Sequence, residues 1–250
     1  MKSIIRLACC LILIACAAPW GSAGEAIPIN TLLITGDDVA PAHNWKENSQ
    51  AIREILEETS RFHVVVSEDP MILDSEAAIQ PYDLIVLCMY NRTLPTLSGQ
   101  AKENLLNFVK NGKGVVVTHL SSASFKEWDE FGNLCGRKWV MGTSGHGPSS
   151  EFSAKIADTN HPITKGLADF VTDDELYAKL QGEAEIHVLV SADSDWSHKT
   201  EPLVFIREYG KGRVFHTAFG HDGKANLNAT VKKLTARGCE WAATGKVTLP

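Results

Sequence analysis

The sequence predicts an α/β protein, a doubly wound and mostly parallel sheet flanked by helices. Three observations carry that expectation. Short, continuous apolar runs rich in β-branched residues recur through the first half of the chain, as fully buried parallel strands do. Amphipathic stretches of helical spacing separate them. The runs stop at glycine, acidic or histidine residues, and in open α/β sheets ligands sit beyond such strand ends.

The elements follow in order. Ile29 to Thr35 is the first strand and ends at Gly36-Asp37-Asp38. Asn44 to Thr59 is a helix, with Ile52, Ile55 and Leu56 on one face and Glu54, Glu57 and Glu58 around them. Phe62 to Ser67 and Tyr82 to Cys88 are strands. Ser98 caps a helix carrying Leu105, Leu106, Phe108 and Val109 that stops at Asn111-Gly112. Gly114 to Thr118 is the fourth strand, with His119 at its end. Ser122 to Pro148 reads as a long insertion, and connections of that length tend to be lids or binding loops. Glu151 to Ala157 reads as a strand and Asp173 to Tyr177 as an acidic loop or helix start. Glu185 to Ser191, Leu203 to Arg207 and Arg213 to Ala218 are three further strands, the last two joined by a tight turn at Gly210-Lys211-Gly212. Lys224 to Ala243 closes the chain as a helix. No repeat or linker divides the chain.

Of 250 residues, 44% are hydrophobic and 22% charged, which excludes a disordered, collagenous or coiled-coil protein. A formal charge of -6 argues against nucleic acid as a partner, since phosphate binding needs a basic face.

The first residues read as a targeting segment. Lys2 and Arg6 precede an apolar stretch, residues 7–18, too short to span a bilayer core of about 30 Å. Two processing routes fit. Cleavage at Gly21-Ser22-Ala23 makes residues 1–23 a signal peptide and 24–250 a single mature domain. Alternatively Leu13-Ile14-Ala15-Cys16 is a bacterial lipoprotein box with Cys16 carrying the lipid. The expectation is an exported protein, periplasmic, extracellular or lipid-anchored, with no transmembrane span. Outside this segment Cys88, Cys135 and Cys239 remain. Three widely spaced cysteines make no disulfide framework, one bridge at most, and buried thiols are the plainer reading. The sequons at Asn91 and Asn228 read as coincidence in a chain with a bacterial type of leader.

The run from Tyr209 through Gly210-Lys211-Gly212-Arg213-Val214-Phe215-His216-Thr217-Ala218-Phe219-Gly220-His221 to Asp222 resembles the signature of the ThuA-like (trehalose utilisation) family. Further fragments agree in order: His43-Asn44-Trp45, Tyr82 to Val86, Asn111 to His119, His161-Pro162-Ile163, Gly166-Leu167 and Asp174 to Tyr177. The resemblance implies a flavodoxin-like fold similar to class I glutamine amidotransferases. Those enzymes carry a nucleophilic cysteine on the turn where this chain has His119, and an imidazole cannot form their thioester. Glutamine amidotransfer is therefore not expected. The resemblance implies instead a role in sugar utilisation, with oxidised (3-keto) glycosides among the substrates.

Histidine is the chemical signal: the chain has nine. His43, His119, His146 and His221 fall at strand ends or in loops, where an imidazole can serve as acid, base or metal ligand. His119, His221 and Glu175 are the catalytic candidates. Asp37, His43, Trp45, Tyr90, His146, Tyr177 and Asp222 are the substrate-binding candidates. His43 with Trp45 suits a sugar platform, although Trp45 could instead be core. Asp222 could orient His221, or simply cap a helix. Glu175 and Tyr177 suit proton transfer and hydroxyl binding, or a cap and a half-buried ring. His216 alternates with Val214 and Ala218 and reads as a core histidine. No compact metal motif is present, so a metal, zinc first, would need ligands from distant segments.

The leading expectation is an exported enzyme using His/Glu acid-base chemistry, with or without a divalent metal, on a small carbohydrate. The alternative is a non-catalytic carbohydrate-binding or scaffold protein on the same fold. A weaker third is an amidohydrolase remnant using Cys88. Self-association is left open.

Overall fold

The computed structural model describes residues 27–37 and 42–250. The targeting segment 1–23, with Cys16, and Asp38 lie outside the described residues. Among the described residues nine strands form one sheet in the order β2-β1-β3-β4-β9-β8-β7-β5-β6. Its parallel half comprises β1 (Ile29–Ile34), β2 (Phe62–Ser67), β3 (Leu84–Leu87), β4 (Gly114–Thr118) and β9 (Gly212–Thr217), each parallel to its neighbour. All five therefore end at the same edge.

Side chains alternate between the two faces of this half, as strand geometry requires. Leu33, Leu84, Val86, Val116 and Phe215 face one way, into a core shared with Ile52 and Leu56 of α1 (Trp45–Glu57) and with Val231, Leu234 and Ala242 of α6 (Ala229–Thr244). Leu32, Ile34, Ile85, Leu87, Val115, Val117 and Val214 face the other way. There they meet Leu105, Phe108 and Val109 of α3 (Gly99–Lys110) and Phe131 and Leu134 of α4 (Asp129–Cys135). Helices thus cover both faces, the doubly wound arrangement the apolar runs imply. Asn44 Oδ1 caps α1 by accepting from the Lys46 and Glu47 amides, and Ser98 Oγ caps α3 by accepting from the Ala101 amide.

The second half departs from the parallel expectation. β5 (Ser150–Ile156), β6 (Phe170–Asp174), β7 (His187–Ser194) and β8 (Lys199–Tyr209) pair antiparallel, and β8 also pairs antiparallel with β9. The reason is connection length. Gly210-Lys211 alone joins β8 to β9, and so short a link permits only a hairpin, whereas parallel neighbours need a crossover. Asp173-Asp174 is strand rather than loop or helix start. The insertion 122–148 is not structureless, since it contains α4 and the end of a 3₁₀ turn, His119–Ala123. The closing helix is broken: α5 (Gly223–Asn226) stops, and Asn228 Oδ1 restarts the chain as α6 by accepting from the Thr230 and Val231 amides.

Cys135 and Cys239 are free, buried thiols, and burial pushes that of Cys135 up to about 12. Among the described residues no helix is long and apolar enough to cross a membrane.

Candidate functional site

Three of the parallel strands deliver their ends to one pit. β1 ends at Thr35-Gly36, and Gly36 takes φ 121 in a turn where a Cβ would lie 2.1 Å from the Glu68 carbonyl oxygen. His43 follows, just before α1. β4 ends at His119, whose φ of 37 lies in the left-handed region that non-glycine residues avoid. The chain makes there the sharp elbow expected after a buried strand. β9 leads to Gly220, with φ 107, and then to His221. Glu175 arrives from the other side, immediately after β6.

The four side chains meet. Glu175 Oε2 lies 3.2 Å from His221 Nδ1, 3.4 Å from His119 Nε2 and 3.6 Å from His43 Nε2. His43 Nε2 and His119 Nε2 are 3.2 Å apart. His146, from the loop after α4, brings Nε2 within 3.5 Å of the same carboxylate oxygen. His43, His119 and Glu175 are buried, and His221 and His146 are partly exposed. Among the described residues, His43, His119, Glu175 and His221 are the one group whose ligand atoms could hold a metal ion, all lying within 4.8 Å of one another.

Outer contacts hold the rings. His119 Nδ1 donates to the Ala218 carbonyl at 2.6 Å, and His146 Nδ1 to the Gly147 carbonyl at 2.5 Å. Each leaves its Nε2 as a lone pair directed at the pit. Asp174 fixes the two arriving segments to each other: Oδ1 accepts from the Glu175 and His221 amides, and Oδ2 from the Gly220 amide. Asn48 Nδ2 of α1 donates to the His221 carbonyl and Asn226 Nδ2 to that of Gly220. Tyr177 packs 4.0 Å from the His119 ring and 4.6 Å from Trp139.

Electrostatics follow from this crowding. Burial alone would raise the Glu175 carboxyl, but His119, His221 and His43 facing it hold it well below the usual carboxylate range. Burial lowers His43, against the pull of Glu175. Glu175, outweighing burial, raises His221. Burial raises the Asp174 carboxyl and pushes the Tyr177 phenol up.

The remaining sequence candidates divide. Trp45 lines a narrow pocket with His43, His119, Cys88 and Gly220. Tyr177 is fully buried and backs the His119 ring rather than lining open space. Asp37 stands apart from the histidines: its Oδ2 accepts from the Thr93 amide and hydroxyl and the Leu94 amide, and so pins that loop. Tyr90 lines a separate pocket with Asn91 and Phe125. Asp222 caps α5 by accepting from the Ala225 amide at 2.7 Å. The carboxylate that orients His221 is Asp174, which sequence reasoning passed over as part of an acidic run. Its adjacency to Glu175 was the available signal. Cys88 lies just beyond the end of β3 and lines the same pocket as His119, and the elbow itself holds an imidazole.

The family described as trehalose utilisation, ThuA, matches residues 31–242. A ThuA-like protein from Parabacteroides merdae is 32% identical with a TM-score of 0.76, over 89% of this chain and 92% of that one. A ThuA-like protein from Bacteroides uniformis is 17% identical with a TM-score of 0.71, over 93% of this chain and 97% of that one. A GMP synthase protein from Thermoplasma acidophilum, 10% identical with a TM-score of 0.51 over 85% of this chain and 94% of that one, shares the fold alone. Among curated proteins no sequence matches the chain.

Proposed function

The chain belongs to the ThuA family, described as trehalose utilisation, and on that premise we propose that it is an exported enzyme of carbohydrate utilisation. Its substrates are sugars or oxidised (3-keto) glycosides, taken into the pit at the strand ends. One observation carries the reading: the imidazoles of His43, His119, His146 and His221 all reach the single buried oxygen Glu175 Oε2. A sheet needs no such cluster for stability, because gathering buried titratable groups is costly, and such clusters mark functional sites.

The chemistry that suits the cluster is proton transfer beside a carbonyl or at a glycosidic oxygen. His146 Nε2, a lone pair at the partly exposed side of the pit, is placed to accept a proton from a carbon next to a ketone. His221, whose charged form Glu175 favours, supplies the donor for the oxygen on which charge would develop. Trp45 offers an aromatic edge at the pit wall for the apolar face of a pyranose.

The test is a panel of ordinary and 3-keto disaccharides incubated with the purified chain and followed by chromatography. Glu175→Gln and His119→Asn are expected to lower kcat/KM by about 10²–10⁴-fold. Absence of turnover across the panel, with saturable sugar binding that both substitutions leave unchanged, would establish the non-catalytic binding protein instead.

A further inference from the structure

We infer that His43, His119, His221 and Glu175 form a divalent-cation centre of the zinc type. The inference deepens the reading above, and rests on its choice of the pit as the working site, not on the identity of the sugar.

The first support is distance. Ligands at about 2.0–2.1 Å on a tetrahedral ion lie about 3.3–3.4 Å from each other. Four of the six separations among these ligand atoms are 3.2, 3.2, 3.4 and 3.6 Å, and all six lie within 4.8 Å. Hydrogen bonds between the same groups would be shorter and aligned. The pair Glu175 Oε2 and His221 Nδ1 is not aligned, and both atoms are buried without a hydrogen-bond partner. A carboxylate oxygen with four imidazoles around it and no hydrogen bond is costly unless a cation satisfies it.

The second support is protonation. The Ala218 carbonyl takes the Nδ1 proton of His119, so Nε2 presents a lone pair. His43 Nε2 faces that lone pair across 3.2 Å. A cation there replaces the single proton that the two nitrogens can share with two bonds. Orienting a metal-bound imidazole through its other nitrogen by a backbone carbonyl is the usual outer-shell device. The third support is donor type. Three imidazoles and one carboxylate suit zinc and its neighbours, whereas magnesium and calcium prefer oxygen donors throughout. Charge also balances: a dication faces the Glu175 carboxylate, with the Asp174 carboxylate directly behind the Glu175 and His221 amides.

His146 is not one of the four. It reaches Glu175 from the partly exposed side, where a substrate carbonyl oxygen would add to the cation as a fifth ligand. The cation would polarise that carbonyl, and the His146 lone pair would take the proton from the carbon next to it.

The experiment uses the whole chain, stripped with a chelator and then dialysed against Zn²⁺ or Co²⁺. Elemental analysis is expected to find about one ion per chain, the Co²⁺ form to show the visible absorption of low-coordinate cobalt, and Zn²⁺ to raise the melting temperature. Glu175→Gln and His221→Gln, each with a native circular dichroism spectrum, are expected to weaken binding at least about tenfold. His63→Ala, an exposed ring on β2, leaves binding unchanged. Less than about a tenth of an ion per chain, or wild-type affinity in both folded variants, overturns the centre. If neither variant folds, the stoichiometry and cobalt spectrum of the wild type decide alone. Full turnover of a keto-glycoside by the stripped chain removes the cation and leaves the proposed function. Tight ion binding without turnover of any sugar does the reverse.

Discussion

At His119, backbone and side chain make opposing demands. A left-handed φ costs a non-glycine residue about 1–2 kcal/mol, yet the ring must stand where the Ala218 carbonyl can take its Nδ1 proton. The position was legible in the sequence because a strand of unbroken valines stops there. The partners were not, because Ala218 and Glu175 are distant along the chain and one of them contributes only a carbonyl. Asp174 was hidden for the same reason: its three acceptor contacts are to backbone amides, which no side-chain pattern reveals. Asp174→Asn turns one acceptor oxygen into a donor facing those amides. It is expected to cost about 1–3 kcal/mol in urea unfolding and to lower kcat/KM more than stability alone explains. His216 carries a pH prediction. Burial lowers its imidazole from 6.5 to about 4, with Nδ1 donating to the Cys135 carbonyl. The folded value lies below the unfolded one, so between these limits the unfolded chain holds more protons. The contribution is complete above pH 6.5 and is lost as pH falls towards 4, by about 3 kcal/mol in all. Urea midpoints at pH 7, 5.5 and 4.5 should show that slope in the wild type and a flatter one in His216→Asn, which keeps a donor for Cys135.

At the scale of elements, the parallel half was the readable part. Its strands are buried on both faces, so their sequences are almost pure apolar runs. The strands from β5 to β7 are half exposed, β5 on most of its length, and their mixed composition obscures both their ends and their direction. Helix boundaries depended on caps. Ser98 and Asn44 were visible as starts, but Asn228 also belongs to a sequon-like triplet, and its capping role emerges only where α5 stops. Asn91 is similarly engaged, accepting from the Phe125 amide. Within α6, Gly238 lets the helix lie against Phe215: a Cβ there would come within 2.4 Å of the ring. Gly238→Ala therefore reverses the usual helix preference. In place of a gain of about 1 kcal/mol, overpacking is expected to cost about 1–3 kcal/mol, read as a lower urea midpoint. An unchanged or higher midpoint would show that the helix can shift away.

For the whole molecule, the C-terminal tail is fastened by a buried carboxylate. Glu240 is fully buried, accepts from Arg61 Nε and from the Thr248 and Leu249 amides, and so ties α6, the start of β2 and the last residues together. Burial alone would raise its carboxyl, but Thr248, Arg61 and Leu249 hold it below the ordinary value. Glu240→Ala is expected to cost about 3–5 kcal/mol, measured by thermal unfolding, and a loss under about 1 kcal/mol would mean that water replaces the carboxylate. Nothing in the sequence marked this residue, since a lone glutamate on a helix reads as surface.

The gathering of residues 43, 119, 175 and 221 around one oxygen has a thermodynamic corollary. Those positions come from the opening loop, the middle of the parallel half, the antiparallel extension and the final strand, so no fragment of the chain possesses the full set. Whatever ion or sugar occupies the pit acts as a rivet through every layer. Amide exchange at β4 and β9 should then slow together on saturation.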